Sequence, residues 1–129
     1  MPRFVILIHD FPFVHWDLLL EQDESLRSWR LLESPARWLL AITPPTIPAE
    51  SISDHRLDYL DYEGPVSRER GTVARWDAGT FERSEQSDDH VRLRLLGEQL
   101  RGELRLDRMR DAPLWTARFE TVPADQAIS

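Results

Sequence analysis

The stretch HDFPFVHWDLLLE, residues 9–21, holds two of the chain's four histidines six positions apart, with an aspartate two positions beyond the second. Two neutral imidazoles and one carboxylate form a donor set for a divalent transition ion that keeps open positions for water or a phosphate oxygen. Manganese, zinc and iron all suit these ligand types. Alternate side chains of an extended strand share a face, so His15, Asp17, Leu19 and Glu21 lie together while Trp16, Leu18 and Leu20 turn the other way, into a core. His15 and Asp17 are then about 6–7 Å apart along the strand. His9 ends the preceding apolar segment, in line with Val5 and Leu7. Pairing of the two segments through the FPFV connection would bring His9 up to His15 and Asp17. Spacing alone leaves a plainer reading open, in which half-exposed strand histidines ligate nothing.

A third histidine stands in DHRLDYLDYEG, where an extended chain places His55, Leu57, Tyr59, Asp61 and Glu63 on one face. An imidazole and a phenol at that offset suit an anionic substrate. The imidazole can donate to a phosphate oxygen or act as a general acid, and the phenol can hydrogen-bond. A surface hairpin with ordinary polar residues is the alternative. His90, beside SDD, reads as solvated. Arginines 92, 94, 101, 105, 108 and 110 cluster in the last third. They read as a solvated strand exterior interleaved with acids, with a phosphate-guiding stripe as the minor reading. No Walker-type loop, GxGxxG, GxSxG or HExxH occurs. All sixteen basic residues are arginine and there is no cysteine, which excludes lysine Schiff-base chemistry, disulfides and thiolate metal sites.

The elements that must position these residues are mostly short and strand-like. RFVILIHD, VHWDLLLEQ and SLRSWRLLE suit a meander, the last with Leu26, Ser28, Arg30 and Leu32 on one side. Ser34-Pro35 opens a helical turn, and the prolines at 44, 45 and 48 predict a stiff loop after Ile42. SISDHRLDYLDYEG reads as a strand or bent strand. GTVAR runs on into WDAGTFE, whose Asp-Ala-Gly between Trp76 and Phe81 predicts a hairpin turn. HVRLRLLGEQLRGELRLDRM predicts two alternating strands around a turn at LGEQLRG, and PLWTARFE a last strand. The expected class is all-β, a compact single-domain β-barrel with short helical turns, spanning residues 1–120, with 121–129 as a flexible tail.

A chain of 129 residues with 41% hydrophobic residues fits one such domain and can bury a core without staples. The apolar run Phe4 to Ile8 is too short for a signal-peptide core or a membrane span, so the expectation is a soluble, cytoplasmic protein with no membrane partner. A net charge of −7 argues against strong nonspecific binding to duplex nucleic acid, although a local basic groove is compatible with it.

Taken in order, the segments HD, VHWDLLLE, LRSWRLLESP, DHRLDYLDYEG, GTVARWDAGTFE, LRLLGEQLRGELRLDRMR and LWTARF resemble the 3′-phosphoesterase domain of bacterial DNA ligase D and its stand-alone relatives, from about Arg3 to Phe119. The resemblance implies a β-barrel with a manganese-dependent site that removes a terminal ribonucleoside and then a 3′-phosphate from nucleic acid, leaving a 3′-hydroxyl. It implies His9, His15 and Asp17 as metal ligands, with zinc or another transition metal as the alternative ion. It also implies His55 and Tyr59 at the phosphate, a nucleic-acid 3′ end as substrate, and a repair ligase or polymerase as partner. Several departures bear on charge. The family's arginine two positions after the aspartate is Leu19 here, its lysine falls at Glu33, and a glutamate falls at Ser53. The loop before GTV is shortened to EGPVSRERGTV, and the sequence starts at the first strand without the family's N-terminal extension. Arg68 and Arg70, in the shortened loop, are the candidates to replace the missing positive charge. The competing expectations are a non-catalytic metal- or phosphate-binding relative and a plain structural barrel.

Overall fold

The computed structural model describes residues 1–110 and 113–121. The first apolar run becomes β1 (Arg3–His9), and the segment that carries the second histidine becomes β2 (His15–Glu21). They pair antiparallel with His9 opposite His15 and Leu7 opposite Asp17. Next come β3 (Leu26–Leu31), α1 (Arg37–Leu40), β4 (Ile47–His55), a 3₁₀ turn (Leu57–Leu60) and the short β5 (Gly64–Pro65). β6 (Thr72–Gln86), β7 (His90–Gly97), β8 (Arg101–Arg108) and β9 (Leu114–Thr121) complete the chain. β9 ends at Thr121, and residues 122–129 of the expected tail lie outside the described residues.

The all-β expectation holds. The strands follow the order β1-β2-β3-β4-β9-β8-β7-β6-β5, and β1 also pairs with β6, so the ladder returns to its starting strand. The inner wall takes one set of alternating positions. From β1 and β2 come Phe4, Ile6, Leu18 and Leu20, from β3 Trp29 and Leu31, and from β7 to β9 Leu93, Leu95, Leu104, Leu106, Ala117 and Phe119. The short helix α1 buries Trp38, whose ring stacks on Phe119 at 5.6 Å and whose Nε1 donates to Pro45 O at 2.9 Å.

β1 and β2 are buried on both faces, which their near-continuous apolar sequences reflect. Their outer face carries a second, smaller apolar cluster of Val5, Leu7, Leu19, Leu26, Leu60 and Val73. The 3₁₀ turn and the segment from Gly64 to Gly71 cover this patch, with Tyr59 and Val66 packed against it. The two histidines and the aspartate lie on this outer face, beyond the apolar cluster.

Two expectations fail. Asp77-Ala78-Gly79 is no hairpin turn; it lies inside the 15-residue β6. The Asp77 side chain is 2% exposed, and its carboxylate accepts from the backbone N–H groups of Glu98, Gln99 and Leu100, each at 2.9 Å. It therefore organises the β7–β8 turn from a neighbouring strand, and its turn-like sequence reflects that long-range bond. Gly97 is bare for the same reason: a Cβ there would come within 2.4 Å of Asp77 Oδ2. The second failure is the Pro-rich stretch, read as loop, of which Ile47 to Glu50 form the start of β4 and pair with β9.

Candidate functional site

Direct pairing of His9 with His15 sets their rings 4.9 Å apart, centre to centre. Asp17, two residues further along the same face, reaches both. Its Oδ2 is 3.4 Å from His9 Nδ1, and its Oδ1 is 3.1 Å from His15 Nε2. The remaining ring nitrogens are held from behind. His9 Nε2 donates to Arg70 O at 2.8 Å, and His15 Nδ1 donates to Phe13 O at 2.8 Å. In the neutral imidazoles this fixes the proton on the outer nitrogen and leaves a bare lone pair on the nitrogen that faces Asp17.

In that form two imidazole lone pairs and a carboxylate meet with no hydrogen between them. His15 and Asp17 are 1% and 3% exposed, and His15 Nε2 and Asp17 Oδ1 have no hydrogen-bond partner among the described residues. Such an arrangement repels itself unless a proton or a metal ion occupies the common point. The spacing fits one. Around an ion with bonds of about 2.1 Å, neighbouring donors are about 3.0 Å apart at right angles and about 3.4 Å apart at tetrahedral angles. One donor atom from each of His9, His15 and Asp17 lies within 4.8 Å of the others, so the three converge on one point.

The three groups form one wall of an open cavity of about 720 Å³. His55, at the end of β4, lines it too. Ser28 Oγ donates to Leu26 O at 2.8 Å, so the same oxygen accepts from His55 Nδ1 at 2.9 Å, and Ser53 O lies 3.2 Å from that nitrogen. Nδ1 is thereby anchored and Nε2 left free. Burial pushes the His55 imidazole below the ordinary histidine value, with the Asp17 carboxylate opposing the shift. The 3₁₀ turn, pinned by buried Leu60, sets the Tyr59 ring edge-on to His55 at 5.4 Å. The expected extended run from His55 to Glu63 thus breaks at Arg56, and the turn itself keeps Tyr59 beside His55.

Arg68 and Arg70 line the cavity too, from the loop whose Arg70 carbonyl meets His9. Their loop is tightly folded: Arg68 and Glu69 have φ of 63° and 54°, and Gly71 has φ of 78°. A Cβ on Gly71 would meet Asp10 Oδ1 at 2.2 Å. That carboxylate accepts from Thr72 N at 2.7 Å and Thr72 Oγ1 at 3.2 Å, and these bonds hold it below the usual carboxylate range. Asp10 so ties the β1–β2 turn to the loop whose Arg70 carbonyl orients His9.

The changes in charge at positions 19 and 33 do not enter this cavity. Leu19 is buried in the outer apolar cluster, and Glu33 is paired with Arg37; neither lines the cavity. Arg30, Arg56, Arg68 and Arg70 line it, against the carboxylates of Asp17 and Asp54. In a chain of net charge −7 the cavity is a local basic pocket, able to concentrate anions. The sequence reading missed Arg30, Arg56, Asp10 and Ser28. Only the shared face of Ser28 and Arg30 was visible, because which residue of β2 they oppose is a matter of register. His90, expected to be solvated, is half-buried between Glu85 and Asp107. Arginines 92, 105 and 108 are paired with acids, as expected of an interleaved exterior, and line no part of this cavity.

Comparison with known proteins gives two matches. The family model described as "DNA Ligase D 3'-phosphoesterase domain" matches residues 8–108. The chain is also 31% identical over 116 residues to the "Multifunctional non-homologous end joining protein LigD" of Pseudomonas aeruginosa. That alignment covers 82% of this chain and 13% of the length of the relative. No helix among the described residues is long and apolar enough to cross a membrane.

Proposed function

The chain belongs to the DNA ligase D 3′-phosphoesterase domain family, and from that premise we propose that it is a metal-dependent phosphoesterase acting on 3′-phosphate or 3′-ribonucleotide ends of nucleic acid. The observation that carries the reading is the convergence of His9, His15 and Asp17, with each imidazole's outer nitrogen anchored to a backbone carbonyl. Anchoring of this kind fixes a ligand histidine's tautomer and raises its basicity. His9, His15 and Asp17 would hold the ion, manganese by preference among the transition metals that suit them. Once bound, the ion polarises a phosphoryl oxygen and neutralises developing negative charge.

The other residues act on the substrate directly. Arg68 and Arg70 attract the phosphate and hold its non-bridging oxygens. His55, kept neutral by burial and anchored through Nδ1, accepts a proton at Nε2 from the attacking water or the phosphate and, once protonated, can return it to the leaving group. Tyr59 fixes the plane of the His55 ring and offers its hydroxyl to a phosphate oxygen. The product, a 3′-hydroxyl end, is what a ligase or polymerase requires, so the proposed partner is a sealing or extending activity, and the proposed setting is the cytoplasm.

The test uses manganese and two primers, one ending in a 3′-phosphate and one in a single 3′-ribonucleotide. The expected result is release of phosphate from the first and trimming of the second, both abolished in Asp17→Asn. Absence of turnover by the wild-type protein with manganese, cobalt or zinc would overturn the catalytic reading and leave a metal- or phosphate-binding relative.

A further inference from the structure

The face of β3 that looks onto the metal-ligand triad holds a cation with no partner. Arg30 stands directly opposite Asp17 in the β2–β3 register and lines the same cavity. Despite that neighbour it makes no ion pair and no side-chain hydrogen bond among the described residues. Its Cζ lies 5.4 Å from the centre of the Phe13 ring, which holds the guanidinium away from the carboxylate. Its Nε is buried without a hydrogen-bond partner among the described residues. A guanidinium has five N–H donors and cannot shed its charge, so leaving a buried one unmade is costly. Arg92, whose Nε is likewise buried without a hydrogen-bond partner among the described residues, differs in that its guanidinium closes on Glu103, as does that of Arg105.

We infer that Arg30 is a phosphate-binding residue of this site, whose unpartnered guanidinium takes the non-bridging oxygens of a phosphoryl group docked beside His9, His15 and Asp17. This rests on the proposed reading of the cavity as a phosphoester site. An arginine presents a planar fork that matches two phosphate oxygens at once, which a lysine or a lone hydrogen bond cannot do. Phe13 supplies the rigidity: its backbone carbonyl anchors His15 and its ring supports Arg30, so ligand and clamp are positioned by one residue. The Arg68 and Arg70 loop lines the same cavity, and the phosphoryl group is held between the two.

The experiment measures binding of inorganic phosphate by calorimetry, with and without manganese, to the wild-type chain and to Arg30→Ala, Arg30→Lys and Arg30→Gln. Alongside it runs steady-state hydrolysis of a 3′-phosphorylated primer. The expected result for Arg30→Ala is phosphate affinity about 10- to 100-fold weaker, the range for a lost hydrogen bond to a charged group. Manganese affinity is unchanged, Arg30→Lys is intermediate, and millimolar guanidinium partly restores Arg30→Ala. If Arg30→Ala fails to fold, Arg30→Lys and Arg30→Gln carry the comparison, since lysine keeps the long stem and the charge and glutamine keeps a shorter polar side chain. Phosphate affinity equal in all variants overturns the inference while leaving the enzymatic reading intact. No phosphate binding by the wild-type protein overturns it as well. Arg30-dependent binding without hydrolysis supports the inference and removes the enzymatic reading.

Discussion

Replacing Asp17 by asparagine should have opposite effects on the metal-free and the metal-loaded protein. In the metal-free state Asp17 is a buried carboxylate with one oxygen unpartnered, facing two imidazole lone pairs. An amide of the same shape removes the charge and supplies an N–H donor for one of those lone pairs. Relief of one unsatisfied buried polar group is worth about 1–3 kcal/mol. At pH 8, where protons compete little with metals, apo Asp17→Asn should therefore be more stable than the apo wild type by roughly 1–2 kcal/mol. The loaded state reverses the order. The donor separations of 3.1 and 3.4 Å already match adjacent positions around one ion, so binding requires little rearrangement. Manganese at about a hundred times its dissociation constant then stabilises the wild type by about 2.7 kcal/mol. For a chain of this size that is a rise in Tm of roughly 8–13 °C. The assay is thermal unfolding of both proteins in chelator and across a manganese titration. Crossing curves are expected: the variant melts higher in chelator and the wild type higher in metal. An apo variant that melts well below the apo wild type, or one that keeps the manganese-induced rise, would refute the reasoning.

Other consequences follow from the same structure. Asp77→Ala should cost about 3–5 kcal/mol in urea unfolding, because three backbone N–H groups of the β7–β8 turn lose a charged acceptor at once; a loss below 1 kcal/mol would show the turn to be self-supporting. Gly71→Ala combines a left-handed φ with a collision against Asp10, so it should destabilise by at least about 1 kcal/mol. By displacing the Arg70 carbonyl behind His9, it should also weaken manganese binding about 10-fold or more by calorimetry. For His55 the folded value lies below the unfolded value of 6.5, so its contribution to stability is full above pH 6.5 and is lost as pH falls from there through the lowered folded value. Wild-type urea midpoints should decline across that window more steeply than those of His55→Gln, and parallel profiles would contradict the burial of a neutral imidazole.

The sequence displays most of what lies on a single strand and little of what depends on two. Alternation in VHWDLLLE is enough to sort His15, Asp17 and Leu19 from Trp16, Leu18 and Leu20, and the folded chain divides them in that way. The meeting of His9 with His15 is legible because the connection between β1 and β2 is short and leaves few registers. Arg30 is on the right face but not visibly opposite Asp17, since that pairing is set by the longer β2–β3 ladder and by packing on the inner wall. Asp77 misleads because Asp-Ala-Gly has the chemistry of a hairpin, and only the distant turn at Glu98 to Leu100 shows what the aspartate is for. The charge changes at Leu19 and Glu33 look like losses from the pocket until their positions are seen, one beneath the apolar cluster and the other on the helix edge.

Because β2 is covered on both sides, its alignment with β1 is guarded twice. A slip by a single residue would send His15 and Asp17 into the greasy interior and turn Trp16 and Leu18 out among the arginines, a double penalty with no compensating contact. The five residues from Asp10 to Val14 that join the two strands are consequently as constrained in number as the ligands are in kind. Lengthening that link by one glycine should disable the ion site while every donor atom is still encoded.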